Sequence, residues 1–352
     1  MAIIDDPSAY FQTTLYTGNG GTNAITNTGN SDLQPDWIWF KRRDGADNHI
    51  VFDVVRGVTK AIYPDLDNLE DTLSNSLSSF NSDGFTLGAD TASGGSINGS
   101  SETCVAWQWK AGTSVSGTTT GSGTGKAYTG SVNTDAGFSI IRYLGNSSAG
   151  HTIPHNLGAV PKMIIGHGLT GSDTTSWTVY HQSLGATKTV SLNERAAAST
   201  STVWNNTTPT SSVVSLGSSG NVNDNDDAFI LYSFAEKQGY SKISSYVGNG
   251  NADGTFVYTG FKPAWLMAFH TTAGNENWML VDNKRDGFNV ENEQLFPNTN
   301  IAEESNDEVD LLSNGFKLRR ANTRMNGSGA TYIFMAFAEN PFVASNFVTT
   351  TA

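Results

Sequence analysis

Three short segments of the sequence are nearly identical and lie about a hundred residues apart: YTGNG at 16–20, YLGNS at 143–147 and YVGNG at 246–250. Each follows an alternating, strand-like segment and precedes a proline that starts an apolar run. The distance from the tyrosine to this proline is 19, 18 and 17 residues. A fixed order at a regular spacing means that one structural unit is used repeatedly, so this feature limits the fold more than any other. The sequence predicts three copies of one β unit.

Other segments recur in the same order. SDGFTL at 82–87 is matched by SNGFKL at 313–318, and each copy closes on a strongly apolar strand with Trp109, Phe234 or Phe337 in the equivalent position. Because these closing strands are apolar on both faces, we expect them to be central and covered on both sides. We interpret YxGN as a strand end followed by a turn, with glycine in a conformation that a Cβ forbids and asparagine as a cap.

The spacing of the strand candidates predicts the fold class. They recur every ten to twenty residues between clusters of Gly, Asn, Asp and Ser, which is typical of antiparallel sandwiches and jelly rolls. We predict an all-β chain of three tandem antiparallel β-sandwich domains, at residues 1–112, 127–237 and 238–352. The Gly/Ser/Thr-rich residues 113–126 are predicted to form a flexible linker. Short amphipathic helices are predicted over 64–77 and from Glu303.

Composition excludes several classes of partner. The net charge of −13 repels phosphate backbones and anionic headgroups, so nucleic acid is not an expected partner. Cys104 is the only cysteine, which rules out an intrachain disulfide and favours a small buried thiol. The N-terminus has acidic residues where a secretory signal would carry basic ones, and no apolar run approaches the roughly 20 residues of a membrane span. We expect no export signal and no membrane insertion.

One loop contains the hard oxygen ligands that Ca²⁺ prefers. NVNDNDDAF, at 221–229, supplies Asp224, Asp226 and Asp227 beside asparagines. It lacks the internal glycine and terminal glutamate of an EF-hand loop. Two interpretations stay open, a single Ca²⁺ site or a solvated turn before the closing strand; no other cofactor is expected.

A second loop has the residue types of a glycan site. VWNNTT places Trp204 beside Asn205 and Asn206, which would suit sugar binding if the indole is exposed; the alternative is a core tryptophan. No His-Glu-x-x-His or Gly-x-Ser-x-Gly motif occurs, and GSGTGKA lacks the spacing of a phosphate-binding loop. His151 and His155 flank a proline, which excludes helical register for a metal pair. We therefore predict no catalytic residue.

Several segments together resemble a known family. YTGN, PDWIWFKRR, FDVVRG, NSDGFTLG, VAWQWKAG and YIFMAFAENPF resemble a lectin-like β-sandwich domain of unknown function found in structural proteins of tailed bacteriophages, particularly phages of marine and cyanobacterial hosts. The resemblance covers the first and third copies, whereas the middle copy matches only at its ends. It implies a virion component of tail, fibre or head appendage with a concanavalin-like sandwich, and it carries over no functional residue.

Three functions remain open at this point. The first is a non-enzymatic phage virion protein, an appendage or fibre component that contributes to attachment to host-surface glycans. The second is a purely structural decoration or joining protein of the capsid, neck or tail, and the third is a carbohydrate-active enzyme. Expected partners are other virion proteins and further copies of the chain, with assembly in the host cytoplasm and final location on the virion.

Overall fold

A computed structural model describes residues 4–90, 96–172 and 174–341. Within these ranges the chain is built almost entirely from strands, and the named strands pair antiparallel in several sheets. The all-β, sandwich-like fold class is confirmed. We divide the described chain into unit 1, unit 2 and unit 3. Each has a sheet that contains the closing strand, which we call the major sheet, and a second sheet, which we call the minor sheet.

Unit 1 begins with a 3-10 turn at Pro7–Ala9 that Asp6 caps through its side chain. Its strands are β1 (Phe11–Thr17), β2 (Asn23–Ile25), β3 (Trp37–Arg42), β4 (Ile50–Asp53), β5 (Lys60–Ala61), β6 (Asp71–Thr72), β7 (Leu77–Phe80), β8 (Phe85–Leu87) and β9 (Thr103–Trp109). The major sheet has the order β1-β9-β3-β4 and the minor sheet the order β2-β8-β7.

Unit 2 carries extra strands at both edges of its major sheet. Its elements are β10 (Thr113–Thr118), β11 (Thr120–Gly121), β12 (Ala127–Asn133), β13 (Phe138–Leu144), β14 (His151–Pro154), β15 (Met163–Gly168), β16 (Thr178–His181), β17 (Lys188–Ser191), β18 (Ser199–Thr200), β19 (Val213–Leu216), α1 (Gly220–Asn223) and β20 (Ala228–Phe234). The major sheet has the order β10-β12-β13-β20-β15-β16-β17-β18, and β11-β14-β19 form the minor sheet.

Unit 3 repeats the plan of unit 1. Its elements are β21 (Ser241–Val247), β22 (Phe256–Tyr258), β23 (Phe261–His270), β24 (Met279–Asp282), β25 (Glu291–Gln294), β26 (Glu304–Leu312), β27 (Gly315–Leu318), α2 (Thr323–Asn326) and β28 (Thr331–Pro341). The major sheet has the order β21-β28-β23-β24 and the minor sheet the order β22-β27-β26-β25.

The three major sheets share one strand order. In each, the closing strand (β9, β20 or β28) lies between the strand before YxGN and the strand after the proline. The register agrees, since Trp109 lies opposite Trp37, Phe234 opposite Met163, and Phe337 opposite Trp265. The predicted equivalence of the three closing-strand aromatics is therefore confirmed.

The centre of each major sheet is buried on both faces, whereas the outer strands β10 and β18 of unit 2 are largely exposed. One face packs on the minor sheet of its own unit; in unit 3, for example, Leu266 and Phe334 meet Phe316. The other face enters a core shared by all three units. Complete burial of both faces explains why the closing strands lack polar alternation.

Aromatic rings close the shared core into a ring of three sheets. The ring centroids of Trp37 and Tyr232 lie 4.8 Å apart at the junction of units 1 and 2. Those of Phe234 and Phe337 lie 6.0 Å apart between units 2 and 3, and those of Phe11 and Phe337 lie 5.4 Å apart between units 3 and 1. Every unit thus contacts both others. The predicted boundaries at 112, 127 and 237 stay predictions, but the units are not independent domains.

The predicted flexible linker is wrong. Residues 113–118 form β10, which pairs with β12 from Thr113 opposite Val132 to Thr118 opposite Ala127, and residues 120–121 form β11. A strand ladder is held by backbone hydrogen bonds, so it tolerates a Gly/Ser/Thr-rich sequence when a neighbouring strand supplies the partner.

Both predicted helices are also wrong. Within residues 64–77 the backbone forms turns, the short strand β6 and the start of β7, and Leu73 and Leu77 reach the unit 1 core from this irregular backbone. The segment from Glu303 forms strand β26. Leucine at spacings of three and four satisfies a helical pattern, but packing against β8 overrides that weak propensity.

Candidate functional site

The YxGN motif is a hydrogen-bonded lock inside each unit. The hydroxyls of Tyr16, Tyr143 and Tyr246 donate to the carbonyls of Ile97, Val222 and Met325, at 2.7, 2.5 and 2.9 Å. The motif asparagines, Asn19, Asn146 and Asn249, donate their backbone N–H to a buried asparagine side chain 77–79 residues further along. The motif therefore joins the end of the first strand to the segment before the closing strand.

The glycine of the lock is needed for a reason that differs from our expectation. A Cβ on Gly18, Gly145 or Gly248 would overlap the backbone carbonyl oxygen of Gly99, Asp224 or Gly327. Close approach of two backbones, and not a left-handed φ, thus requires glycine here. The left-handed residue comes two positions later, at Gly20 with φ 69° and Gly250 with φ 65°.

Two acceptors of the lock, Asn98 and Asn326, are asparagines that we did not single out in the sequence, whereas Asn223 was considered only as part of the candidate Ca²⁺ loop. Asn98, Asn223 and Asn326 are 0% exposed. Asn326 is typical, since its Nδ2 also donates to the carbonyls of Asn251 and Arg320. The signal that could have identified two of them is the recurrence of INGS at 97–100 and MNGS at 325–328.

A second repeated position connects different units. Asp53 ends β4 and accepts a hydrogen bond of 2.7 Å from the Tyr232 hydroxyl in unit 2. Asp282 ends β24 and accepts one of 2.9 Å from the Trp107 indole N–H in unit 1. The equivalent residue in unit 2, His181, lies 3.3 Å from the Phe334 carbonyl in unit 3. Each strand end thus holds the closing strand of the next unit.

The two aspartates are fully buried with an arginine three residues later. Asp53 binds Arg56 at 2.6 Å and Asp282 binds Arg285 at 2.7 Å, with all four side chains 0% exposed. The neighbouring carboxylates raise the pKa of both guanidinium groups, although burial opposes this. The four charged groups pair with one another inside the fold and are shielded from solvent, so they are not available for chemistry on a substrate.

His181 is expected to make the protein less stable at acidic pH. Its Nδ1 accepts from the Ser183 N–H, so Nε2 carries the proton toward Phe334, and burial lowers the pKa to about 4. Because unfolded histidine has a pKa of about 6.5, this stabilising contribution is complete above pH 6.5 and is lost as the pH falls toward 4.

Between pH 7.5 and pH 5 we expect the wild type to lose about 2 kcal/mol more of its free energy of unfolding than His181→Gln does. Urea denaturation of both proteins at the two pH values measures this difference. Comparing the losses removes the contribution of other titrating groups, such as Asp65, whose pKa burial raises to about 7. Equal losses would contradict the assignment of a neutral buried imidazole.

The candidate Ca²⁺ loop does not gather its three aspartates. Asp226 is exposed and pairs with Lys126, which lowers its pKa. Asp224 and Asp227 line a cleft of ≈ 210 Å³ with Thr175, Ser219 and Gly220. Among residues 4–90, 96–172 and 174–341, no group of three His, Cys, Asp or Glu side chains is placed to hold a metal ion. Both interpretations of this loop, a Ca²⁺ site and a solvated turn, stay predictions.

The candidate glycan loop is divided between core and surface. Trp204 is 0% exposed and packs edge-on against Tyr180 at 6.0 Å, so the interpretation of an exposed indole platform is wrong. Its apolar ring is buried among the strands of unit 2. Asn205 and Asn206 follow in left-handed conformation, with φ 50° and 49°, and Asn206 is exposed. The loop offers amides to solvent, but no aromatic face.

Unit 1 also contains an enclosed cluster of titratable groups. Lys41 and His49 are 0% exposed, and the Asp65 carboxylate accepts from the His49 backbone N–H. Burial lowers the pKa of Lys41 to about 8, against the opposing effect of Asp65 and Asp47. The Lys41 ammonium is satisfied by the carbonyls of Arg42 and Gly45. Enclosure makes this cluster part of the core, although Asp65 Oδ2 has no hydrogen-bond partner among the described residues.

An open groove lies at the junction of units 1 and 3. We call it the β1 groove, because it follows the outer edge of β1. A cavity of ≈ 290 Å³ is lined by Phe11, Gln12 and Thr13 on unit 1 and by residues including Asn283 on unit 3. A second cavity, of ≈ 420 Å³, continues along Thr13 to Tyr16. Lys284 lines both cavities.

Two polar atoms in the β1 groove have no protein partner. Thr13 is 7% exposed, and its Oγ1 makes no hydrogen bond to any described residue. Asn283 Oδ1 is likewise buried and unpaired within that part of the chain. A buried polar atom without a partner costs about 1–3 kcal/mol, so a ligand that satisfies these atoms would recover part of that cost. This property distinguishes the groove from the other clefts.

Comparison with known proteins adds a family assignment. Among the described residues, no helix has the length and apolar character needed to span a bilayer. No curated protein matches the sequence. A model described as a domain of unknown function, DUF7483, matches residues 6–341, so one family model spans all three units and their shared core. The chain therefore belongs to the DUF7483 family.

Proposed function

We propose that this chain is a non-enzymatic structural protein of a bacteriophage virion, an appendage or fibre component that contributes to attachment to host-surface glycans. The resemblance of the first and third copies to lectin-like phage domains supports the virion assignment. A net charge of −13 suits a protein displayed on a particle surface, because it limits non-specific association.

One observation carries the display role. The residues that repeat are used inside the molecule, in the tyrosine–asparagine lock, at the unit junctions or in the minor sheets, as Phe85 and Phe316 are. The features that differ between units lie in solvent-facing loops, such as the one with Asn206, Thr207 and Thr208 exposed. A rigid scaffold with variable exposed loops is the usual arrangement of a recognition module.

The proposal includes specific partners. The chain would assemble in the host cytoplasm as a homo-oligomer with other virion proteins and bind glycan through exposed amides, such as that of Asn206. Amide groups are suited to sugar hydroxyls because each can both donate and accept a hydrogen bond.

A second candidate function is a structural decoration or joining protein of the capsid, neck or tail. The β1 groove favours it, because an open strand edge with unpaired buried atoms suits a protein partner better than a mobile sugar. A carbohydrate-active enzyme is a third candidate, supported by the resemblance to lectin-like folds alone.

Two experiments separate these functions. Particle reconstruction combined with mass spectrometry of purified virions should place the chain on an outward-projecting appendage; density confined to contacts with capsid or tail proteins would favour the joining role. On an array of host-envelope glycans, the wild type should bind and Asn206→Gly should bind more weakly, while Asn300→Ala, an exposed control, should not change binding. Release of sugar from envelope material would instead indicate an enzyme.

A further inference from the structure

The outer edge of β1 is an unpaired strand edge. The Lys110 N–H donates to the Tyr10 carbonyl and the Gly18 N–H donates to Glu102, so even-numbered residues form the ladder with β9. Phe11, Thr13 and Leu15 consequently direct their N–H and C=O groups away from β9. Within the described chain, no residue hydrogen-bonds to these outward groups. They form the floor of the β1 groove.

In unit 2 the equivalent edge is occupied by a strand. Phe138 lies opposite Phe234 as Phe11 lies opposite Trp109, so β13 residues 138–143 correspond to β1 residues 11–16. Strand β12 pairs antiparallel with these six residues, from Tyr128 opposite Tyr143 to Asn133 opposite Phe138. The two cavities of the β1 groove are lined by residues 11–16, which is the stretch that β12 covers in unit 2.

In unit 3 the equivalent edge is capped by side chains at its centre, at Ile243. Ile243 corresponds to Thr13, and its N–H donates to Glu236 at 3.1 Å. Its carbonyl accepts from Nε2 of Gln182, the residue that follows the strand end of unit 2. At the β1 groove the corresponding residue is Asn283, which is one methylene shorter, makes no such bond and leaves Oδ1 buried and unpaired.

We propose that the β1 groove accepts an extended segment of another polypeptide as an added strand, antiparallel to β1. Of three equivalent edges, one is covered by a strand of the chain itself and one is capped, so the third has the geometry of a vacant strand position. Backbone groups of the segment would bond to Phe11, Thr13 and Leu15, as β12 does to β13.

The geometry of β12 also indicates the chemistry of the segment. Its sequence, AYTGSVN, is short, uncharged and rich in small and hydroxyl side chains. A Cβ on Gly130 would overlap the Ile140 carbonyl, so the centre of the paired strand approaches its neighbour very closely. In the β1 groove, a small hydroxyl residue at the position of the segment opposite Thr13 would place a hydrogen-bond donor near Thr13 Oγ1 and Asn283 Oδ1.

The test uses the peptide KAYTGSVN, the sequence of residues 126–133, as the probe. Hydrogen exchange of the full chain with and without this peptide, read by mass spectrometry, should show exchange at residues 10–17 slowed at least about tenfold at saturation. Residues 240–248, whose edge is capped at Ile243, serve as an internal control and should not change. Unchanged exchange at residues 10–17 would overturn the proposal.

Two variants identify the edge as the binding surface. Asn283→Gln recreates the capping side chain of Gln182, and we expect it to need at least about tenfold more peptide for the same protection. A peptide with proline in place of its serine should fail to protect, because proline removes a backbone donor. Unaltered binding in either experiment would overturn strand addition. Dimerisation of the free chain through residues 10–17 would also contradict it, since the occupant would then be a second copy.

Discussion

Replacing Asp53 with alanine is expected to lower the free energy of unfolding by about 3–5 kcal/mol, because it leaves a fully buried guanidinium without its nearest carboxylate and, among the described carboxylates, with only that of Glu70 at 3.5 Å. The Asp53 carboxylate accepts from the backbone N–H and Nε of Arg56 and from the Tyr232 hydroxyl of unit 2. Its removal therefore destabilises both a turn in unit 1 and the junction with unit 2. Urea denaturation followed by tryptophan fluorescence measures the loss.

Two control variants test the prediction for Asp53→Ala. Asp32→Ala removes an exposed carboxylate and should change the unfolding free energy by less than about 0.5 kcal/mol. The double variant Asp53→Leu with Arg56→Met replaces the ion pair by apolar groups and should recover more than half of the loss. If Asp53→Ala is no less stable than Asp32→Ala, the buried pair does not hold the junction.

Asn326→Ala is expected to lower the free energy of unfolding by about 3 kcal/mol, because it removes a fully buried amide and leaves three backbone groups without their partner. Asn326 accepts from the Asn249 N–H and donates to the carbonyls of Asn251 and Arg320. Thermal and urea unfolding of the variant measure the effect.

The matched control is Asn300→Ala, at an exposed asparagine. Its unfolding free energy should lie within about 0.5 kcal/mol of the wild type. Asn98→Ala and Asn223→Ala should behave like Asn326→Ala, because their side chains occupy the same position in units 1 and 2. A small effect at all three positions would mean that the lock does not stabilise the units.

The repeat was readable from sequence because it depends on local and strongly constrained chemistry. A tyrosine with a fixed hydroxyl partner and a glycine pressed against a carbonyl tolerate little change, so YxGN survives in all three copies. The closing strands were identified for a similar reason. Burial of both faces strongly favours apolar residues, with exceptions such as Gln108 and Ser233, and this pattern is independent of what lies on the far side.

The linker and helix predictions failed where tertiary contacts decide the structure. Residues 113–118 carry almost no apolar side chains, and their strand exists because β12 supplies backbone partners. Leu73 and Leu77 fit a helical spacing as well as they fit their positions in the unit 1 core. In both segments the local sequence pattern fitted more than one structure, and contacts with other strands determined which structure formed.

The candidate sites were harder to predict because sequence does not reveal exposure. Trp204 beside two asparagines fits either a sugar platform or a core residue, and its contact with Tyr180 is visible only in the fold. The β1 groove had no sequence signal. It becomes visible when Asn283 is compared with Gln182, the residue at the equivalent position. That equivalence is apparent only from the register of the strands that end just before the two residues.

The ring of three sheets has a consequence for synthesis of the chain. Phe11 and Trp109, near the beginning, complete their packing on Phe337, close to the end of the described chain. During synthesis, the aromatic face of unit 1 therefore cannot complete its packing until nearly the whole polypeptide has emerged from the ribosome. Such a non-local core folds slowly, and its intermediates expose apolar surface and tend to aggregate. The yield of folded protein should therefore depend strongly on growth temperature and on chaperones. A truncated chain that ends after unit 2 would expose this face permanently.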